Sequence, residues 1–203
     1  MRPGKIGLIL LLMVVFALAS RAQSHWGVRG GLNETTTQGP GYTNLFAWNY
    51  HAGIFYEAPF GKRFSLLAEA LYSPKGNYAG GDLFLRLKYI SVPLLAEYRL
   101  VGRLYVLGGL EGNYLLCAYT TSDLPDFYAN GVYRRIDIGI AGGWRYAITK
   151  NIGIDLRAIK GLMGIERPYR VFSDGSTGTV DNKDNPRNLA FQAGLYYILL
   201  RRR

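Results

Sequence analysis

The chain has 203 residues, a formal net charge of +10 at pH 7, a sequence pI near 9.7 and 49% hydrophobic residues. This length suits one domain of ordinary size, and the single cysteine, Cys117, excludes an intramolecular disulfide. A basic balance of this kind suits an anionic lipid surface as well as nucleic acid. The export signal described next argues against a nucleic-acid partner.

The first 22 residues have the organisation of a secretory signal peptide. Arg2 and Lys5 precede an apolar stretch over residues 6–18, and small residues follow up to Ala22. We expect cleavage after Ala19 or Ala22. A transmembrane anchor is the alternative, but the apolar stretch is shorter than the roughly 20 residues that cross a hydrocarbon core. The predicted organisation is therefore a signal peptide, 1–22, and one exported domain, 23–203.

Amphipathic strands follow one another through the exported domain. Period-two alternation predicts eight of them, near residues 26–33, 49–58, 64–75, 87–100, 104–119, 133–148, 152–165 and 188–200. Pro93 falls inside the fourth strand, where it removes one ladder donor, and we expect a local bulge there. No later stretch approaches the length of a transmembrane helix, so membrane insertion requires strands that close into a barrel.

The connections between the predicted strands alternate in length. Short turns at residues 59–63, 101–103 and 149–151 contain Gly or Asn, which suit tight reversals. Longer polar connections lie near residues 34–48, 76–86, 120–132 and 166–187. This alternation predicts an all-β, eight-stranded, antiparallel, up-and-down transmembrane β-barrel over residues 23–203. Short turns face the periplasm and long loops face the exterior in such barrels, so both chain ends should be periplasmic.

The two faces of each strand distinguish a lipid face from a lumen. In the sixth strand Ile136, Ile138 and Ile140 share one face, whereas Asp137 and Gly139 share the other. A soluble lipocalin-type barrel would reverse this order, with large apolar residues inside. A charged face that is also rich in Gly fits a crowded interior, where charges persist only when they are paired. The predicted lumen charge network comprises Arg29, Glu57, Glu69, Glu97, Arg99, Glu111, Asp137, Arg145, Asp155 and Arg157.

Aromatic residues on the lipid phase cluster near the strand ends. Trp and Tyr prefer the two membrane interfaces, so two belts are predicted. The periplasmic belt comprises Trp26, Tyr56, Phe64, Tyr98, Trp144, Tyr146 and Tyr197, and the outer belt comprises Tyr50, Tyr72 and Tyr114. Good strand propensity alone explains many aromatics in strands, but it does not explain their position at strand ends.

Several segments resemble one known family. They are WGVRGGLN at 26–33, FYE at 55–57, AEALYSPKG at 68–76, LKYISVPLL at 87–95 and KNIGIDLR at 150–157. Together they look like the PorT-like outer-membrane β-barrel family of Gram-negative bacteria, and the resemblance covers essentially the whole exported domain. It implies a barrel in the outer membrane, and the family's named member is associated with a protein secretion system. Fold alone does not transfer that role.

The sequence offers no catalytic, cofactor or metal motif. Paired carboxylates on the lumen face could act as acid and base, but ion pairing in a narrow barrel accounts for them better. The two histidines are His25, before the first strand, and His51, on the lumen face near the outer end of the second strand. No phosphate-binding Gly loop and no HExxH motif is present, and residues 181–185 lack the Gly and distal Glu of a calcium loop.

Three functional hypotheses remain open at this stage. The first is a non-enzymatic barrel in the outer-membrane bilayer that contacts a protein partner or a surface glycolipid through its extracellular loops, or assists surface assembly or secretion. The second is a small-solute channel of the porin type. The third is an outer-membrane hydrolase that uses His51. Conductance separates the first two, and an activity screen against His51→Ala tests the third.

Overall fold

The computed structural model describes residues 24–39, 45–80, 83–121, 127–128, 132–167, 169–171, 177–179 and 185–201. The strands are β1 (His25–Gln38), β2 (Ala47–Phe60), β3 (Phe64–Tyr72), β4 (Lys75–Gly80), β5 (Leu83–Val101), β6 (Leu104–Thr121), β7 (Phe127–Tyr128), β8 (Ile136–Ala147), β9 (Ile152–Gly161), β10 (Tyr169–Val171), β11 (Thr177–Thr179) and β12 (Arg187–Arg201). The predicted signal peptide lies outside these residues. Among the described residues, no helix is long and apolar enough to cross a membrane.

The strands of the described residues close into a ring. Antiparallel pairing runs in the order β1, β2, β3, β5, β6, β8, β9 and β12, and β12 pairs with β1 to complete the circuit. β4 follows β3 along the same edge of β5, so the two form one interrupted wall. The predicted all-β, eight-stranded antiparallel barrel is confirmed.

The short turns gather at one end of the barrel, which we call the turn end. Gly61 and Gly102 have φ values of 77° and 55°, a left-handed conformation that glycine adopts without steric cost. The third turn uses a side chain instead: the Thr149 hydroxyl accepts hydrogen bonds from the Asn151 and Ile152 amides at 3.2 and 3.0 Å. The longer connections lie at the opposite end, the loop end.

Strand boundaries at the loop end differ from the predicted ones. β1 continues to Gln38, and residues 76–86, expected as a loop, lie largely in β4 and β5. The wall expected over 64–75 is interrupted at residues 73–74, whereas the predicted strands 133–148 and 152–165 shorten to β8 and β9. Thr35, Thr36 and Thr37 are all buried. Apolar and polar residues therefore stop alternating where the strands extend beyond their lipid-facing part. The period-two signal in the sequence ends at the same point.

Pro93 does not produce the expected bulge. The β3–β5 register pairs Ala68 with Leu94 and Leu71 with Ser91, so it is the same on both sides of the interruption opposite Pro93. On its other side Pro93 pairs in register with Glu111 of β6. The missing donor is accommodated by a short gap in one ladder rather than by an inserted residue.

The alternation of faces is present in the barrel wall. In β8, Ile136, Ile138 and Ile140 are exposed on the outside while Asp137 and Ala141 are buried inside. The interior apolar residues form two clusters. The wider one contains Phe55, Leu67, Leu95, Leu107, Ala141, Ile159, Ala190, Tyr196 and Ile198. The second, at the loop end, contains Leu85, Leu87, Tyr89, Leu115, Ala118, Tyr133 and Ile165.

Candidate functional site

Four charged side chains meet in the middle of the lumen, and we call them the central quartet. Arg157 donates two hydrogen bonds to Glu69, at 2.7 and 2.8 Å. Arg29 contacts both Glu69, at 3.1 Å, and Asp155, at 2.9 and 2.5 Å. All four side chains are at most 2% exposed. Two cations and two carboxylates thus neutralise one another through bidentate hydrogen bonds. Buried ions are stable only when they are paired and hydrogen-bonded in this way.

A second group, the turn-end triad, lies between the quartet and the turn end. Arg145 donates to Glu97 at 2.9 Å and to Glu57 at 3.1 Å. Its guanidinium lies 3.7 Å from the centroid of the Tyr196 ring and 5.2 Å from that of Phe55. One arginine therefore binds two carboxylates and packs against two aromatic rings, so the side chains of the triad fill this section of the lumen.

A third group, the loop-end polar cluster, contains a cation that the predicted network lacks. Lys75 donates to Glu111 at 2.6 Å and to Asn113 at 3.0 Å. Asp137 accepts from Asn188 at 3.0 Å. Lys75 continues the lumen phase of the third wall, so period two could have identified it. It stands at the end of the predicted third strand, between Pro74 and Gly76, and was not included in the predicted network.

Arg99 is a correction to the predicted network. Its position has the lumen phase, but its side chain is exposed at the turn end and stacks over the Tyr105 ring at 5.4 Å. Because β5 continues only two residues beyond it, no further ring of side chains covers it from solvent. The other nine predicted lumen charges lie inside the barrel, eight buried and Glu57 half-buried.

His51 is enclosed in the lumen and does not face a loop. It is 1% exposed, and its Nδ1 lies 2.6 Å from the Asn33 amide oxygen. Asn33 in turn donates to the Ser73 hydroxyl at 3.0 Å. The arrangement orients an amide, not a nucleophile, toward the imidazole. Within the described residues no three His, Cys, Asp or Glu side chains gather as a metal site requires.

Three chain segments are tied together at the loop end. The Arg134 amide donates to the Ile165 carbonyl at 2.7 Å, and the Ile165 amide donates to the Pro186 carbonyl at 2.8 Å. The Asn185 side chain binds both the amide and the carbonyl of Glu166, at 3.0 and 2.9 Å. These segments, 132–135, 165–167 and 185–186, contribute Tyr133 and Ile165 to the loop-end apolar cluster, and we call the assembly the loop-end platform.

Comparisons with known proteins identify the family. The model of the outer membrane protein beta-barrel domain matches residues 19–166. The chain belongs to this family. A comparison with curated protein sequences finds no match. The barrel is embedded in the lipid bilayer of the outer membrane.

Solved structures of outer-membrane barrels share the fold. Neisserial surface protein A, NspA, is 13% identical, with a TM-score of 0.57 over 86% of this chain and 97% of that chain. Ail of Yersinia pestis, solved with the heparin analogue sucrose octasulfate, is 14% identical, with a TM-score of 0.53 over 87% of this chain and 99% of that chain. Identities this low show a common architecture alone, because a fold does not fix an activity.

The predicted interface aromatics of this outer-membrane barrel lie on its outer surface. At the turn end Trp26 packs on Tyr56 at 4.7 Å between ring centroids, and Phe64 packs on Tyr98 at 4.8 Å. Trp144 and Tyr146 are exposed on β8, and Tyr197 is exposed on β12. Toward the loop end Tyr50 and Tyr72 lie 5.9 Å apart, and Tyr114 is exposed. Trp48, 71% exposed, is a further outward aromatic. It is absent from the predicted belts because its position was predicted to lie in a loop.

Proposed function

We propose that this outer-membrane barrel acts by binding a protein partner or a surface glycolipid at its extracellular loops. The observation that carries the proposal is a lumen that side chains fill from the turn-end triad to the loop-end polar cluster. The turn-end triad, the central quartet and the loop-end polar cluster follow one another with buried apolar side chains around them. An eight-stranded barrel filled in this way has no room for a solute path.

The loop-end platform supports the same proposal. Binding surfaces on loops work best when a rigid scaffold holds them in place. Here Tyr133 and Ile165, which belong to two of the connected segments, are themselves buried, and backbone hydrogen bonds fix those segments to one another. The long connections therefore leave the barrel from a fixed base. The resemblance to the PorT-like family further supports a role as an accessory of surface assembly or secretion.

The two other hypotheses receive less support. A porin-type channel requires an open path, which the ion-paired clusters obstruct. A hydrolase would need an accessible base beside a nucleophile, whereas His51 is buried against Asn33. We therefore propose a non-enzymatic barrel. An activity screen in which wild-type protein hydrolyses lipid or peptide and His51→Ala does not would reverse this assignment.

Site-specific photo-crosslinking on intact cells tests the binding proposal. A photoreactive amino acid at exposed Val132 of the platform should give a discrete adduct, whereas one at exposed Gly102 of the turn end should not give the same adduct. Asn185→Ala, which removes the two side-chain hydrogen bonds to Glu166, should weaken that adduct. Asn151→Ala is the matched control, because Asn151 binds the Ile198 carbonyl at the turn end, at 3.2 Å. The absence of any adduct at Val132, or loss of the adduct in both variants, would contradict the proposal.

A further inference from the structure

A cavity of about 300 Å³ opens at the turn end of the lumen, and we call it the vestibule. Its floor is the turn-end triad with Tyr196, and its walls come from the three short turns and the two terminal strands. Six cationic side chains form its rim: Lys62, Arg63, Arg99, Arg103, Lys150 and Arg201. Cations from every turn thus surround one concave opening.

Within the described part of the chain, no carboxylate neutralises the rim cations. Residues 58–68, 98–110, 146–154 and 193–203 contain no Asp or Glu. The two acids of the vestibule, Glu57 and Glu97, both bind Arg145 on the floor. Among the described residues, no rim cation forms an ion pair with a carboxylate. A concave site lined by one sign of charge concentrates the field and attracts ions of the opposite sign.

Several rim side chains are held in place by neutral partners. Arg103 donates to the Ile148 carbonyl at 2.7 Å, and Arg99 stacks over the Tyr105 ring. Arg63 donates to the Tyr98 hydroxyl at 3.2 Å, and this hydrogen bond raises the pKa of the Arg63 guanidinium. These contacts restrain the guanidinium groups without neutralising their positive charge. Less side-chain entropy is therefore lost when an anion binds.

The position of the rim cations distinguishes between lipid headgroups, small anions and acidic peptides as occupants of the vestibule. Bilayer headgroups surround the outer perimeter of a barrel, whereas Arg99 and Arg103 line the vestibule at the mouth of the lumen. A single small anion, with one or two charges, would leave most of the six rim cations without a counter-charge. An extended chain with several carboxylates reaches cations of different turns at once, which is how arginine clusters recognise acidic motifs.

We propose that the vestibule binds an acidic peptide segment of a periplasmic protein. Short turns face the periplasm in bacterial barrels, so the opening is accessible from that side. The interaction is separate from loop-end binding, because the filled lumen lies between the two ends. It would couple the barrel to a periplasmic partner through Asp and Glu side chains.

Fluorescence anisotropy with the barrel in phosphatidylcholine nanodiscs tests the proposal. The probe is fluorescein-labelled decaglutamate, and equally labelled decaglutamine is its neutral control. Wild-type protein should bind decaglutamate, and Arg99→Gln with Arg103→Gln should weaken binding about three- to tenfold, because each exposed ion pair contributes modestly. Lys62→Gln with Lys150→Gln, two exposed turn positions, should act in the same direction even if the first variant folds poorly.

A matched control removes two arginines at the loop end. Arg86 and Arg135 are exposed there, and Arg86 stacks over Phe84 at 5.6 Å, as Arg99 does over Tyr105. Their replacement by Gln should change binding less than twofold. Equal weakening in the Arg99/Arg103 variant and in the Arg86/Arg135 control, or no binding of decaglutamate to wild type, would overturn the proposal. So would equal displacement of the probe by glycerol 3-phosphate and by unlabelled decaglutamate at equal charge concentration, because it would identify a phosphate headgroup as the occupant.

Discussion

At the scale of single residues, Arg145 provides the clearest test of the filled lumen. It is the cation that Glu57 and Glu97 share, so Arg145→Leu leaves two carboxylates facing each other without it. We expect the free energy of unfolding to fall by about 3–5 kcal/mol. Glu111→Leu, which removes the carboxylate that Lys75 contacts, should cause a loss of the same order.

Equilibrium urea unfolding in lipid vesicles measures these losses. The matched control is Arg99→Leu, because Arg99 has the same lumen phase but is exposed. An exposed arginine contributes little to stability, so the control should unfold close to wild type. A loss at Arg99 as large as the loss at Arg145 would show that the buried ion pairs do not stabilise the barrel.

The residue types of the lumen were predictable, but their partners were not. Period two places Arg29 and Asp155 on the lumen face of their strands. Their contact joins residues 126 positions apart in the chain. Which strands face each other across a barrel depends on strand tilt and shear, and these follow from the register of the whole ring. Lys75 is a different case, because it has the lumen phase of the predicted third strand but was not included in the predicted network.

At the scale of the strand, the outward face should tolerate charge poorly. Ile138 and Ile154 are about 40% exposed on the lipid face. An arginine near the bilayer midplane costs about 2–4 kcal/mol, so Ile138→Arg or Ile154→Arg should destabilise the folded barrel by that amount. The control Ala141→Ser faces the lumen, so transfer of a polar group into lipid should lower its free energy of unfolding less. Folding titrations from detergent into lipid measure both, and equal costs would contradict the assignment of the two faces.

Strand centres were predicted more accurately than strand ends. Within the bilayer one face must be apolar and the other polar or small, so alternation is strong in β8 and β9. Past that region β1 and the β4–β5 hairpin pair with neighbouring chain segments. There Thr35 to Thr37 are buried in succession. Apolar and polar residues do not alternate in this segment, so the sequence does not indicate a strand. The loop-end platform was therefore not predictable from alternation.

At the scale of the whole molecule, the length of the connections sets the orientation in the membrane. An epitope tag inserted at residues 174–178, within the longest predicted loop, should be accessible to antibody on intact cells. These residues lie largely outside the described part of the chain. A tag at Gly102, in a short turn, should become accessible only after permeabilisation. The reverse labelling pattern would invert the proposed orientation.

Export implies removal of the leader. We propose that the mature protein begins at Ser20 or Gln23, because small residues precede both positions. N-terminal sequencing of protein extracted from outer membranes should give one of these two residues. A sequence that starts at Met1 would show that the apolar stretch is retained.

Conductance in planar bilayers tests the central claim, that side chains fill the lumen and leave no solute path. Wild-type protein should show no steady open-channel current, because the turn-end triad, the central quartet and the loop-end polar cluster obstruct the interior in succession. Stable single-channel steps in the wild type, abolished by bulky substitutions at Gly109 or lumen-facing Gly139, would contradict the claim and identify a channel.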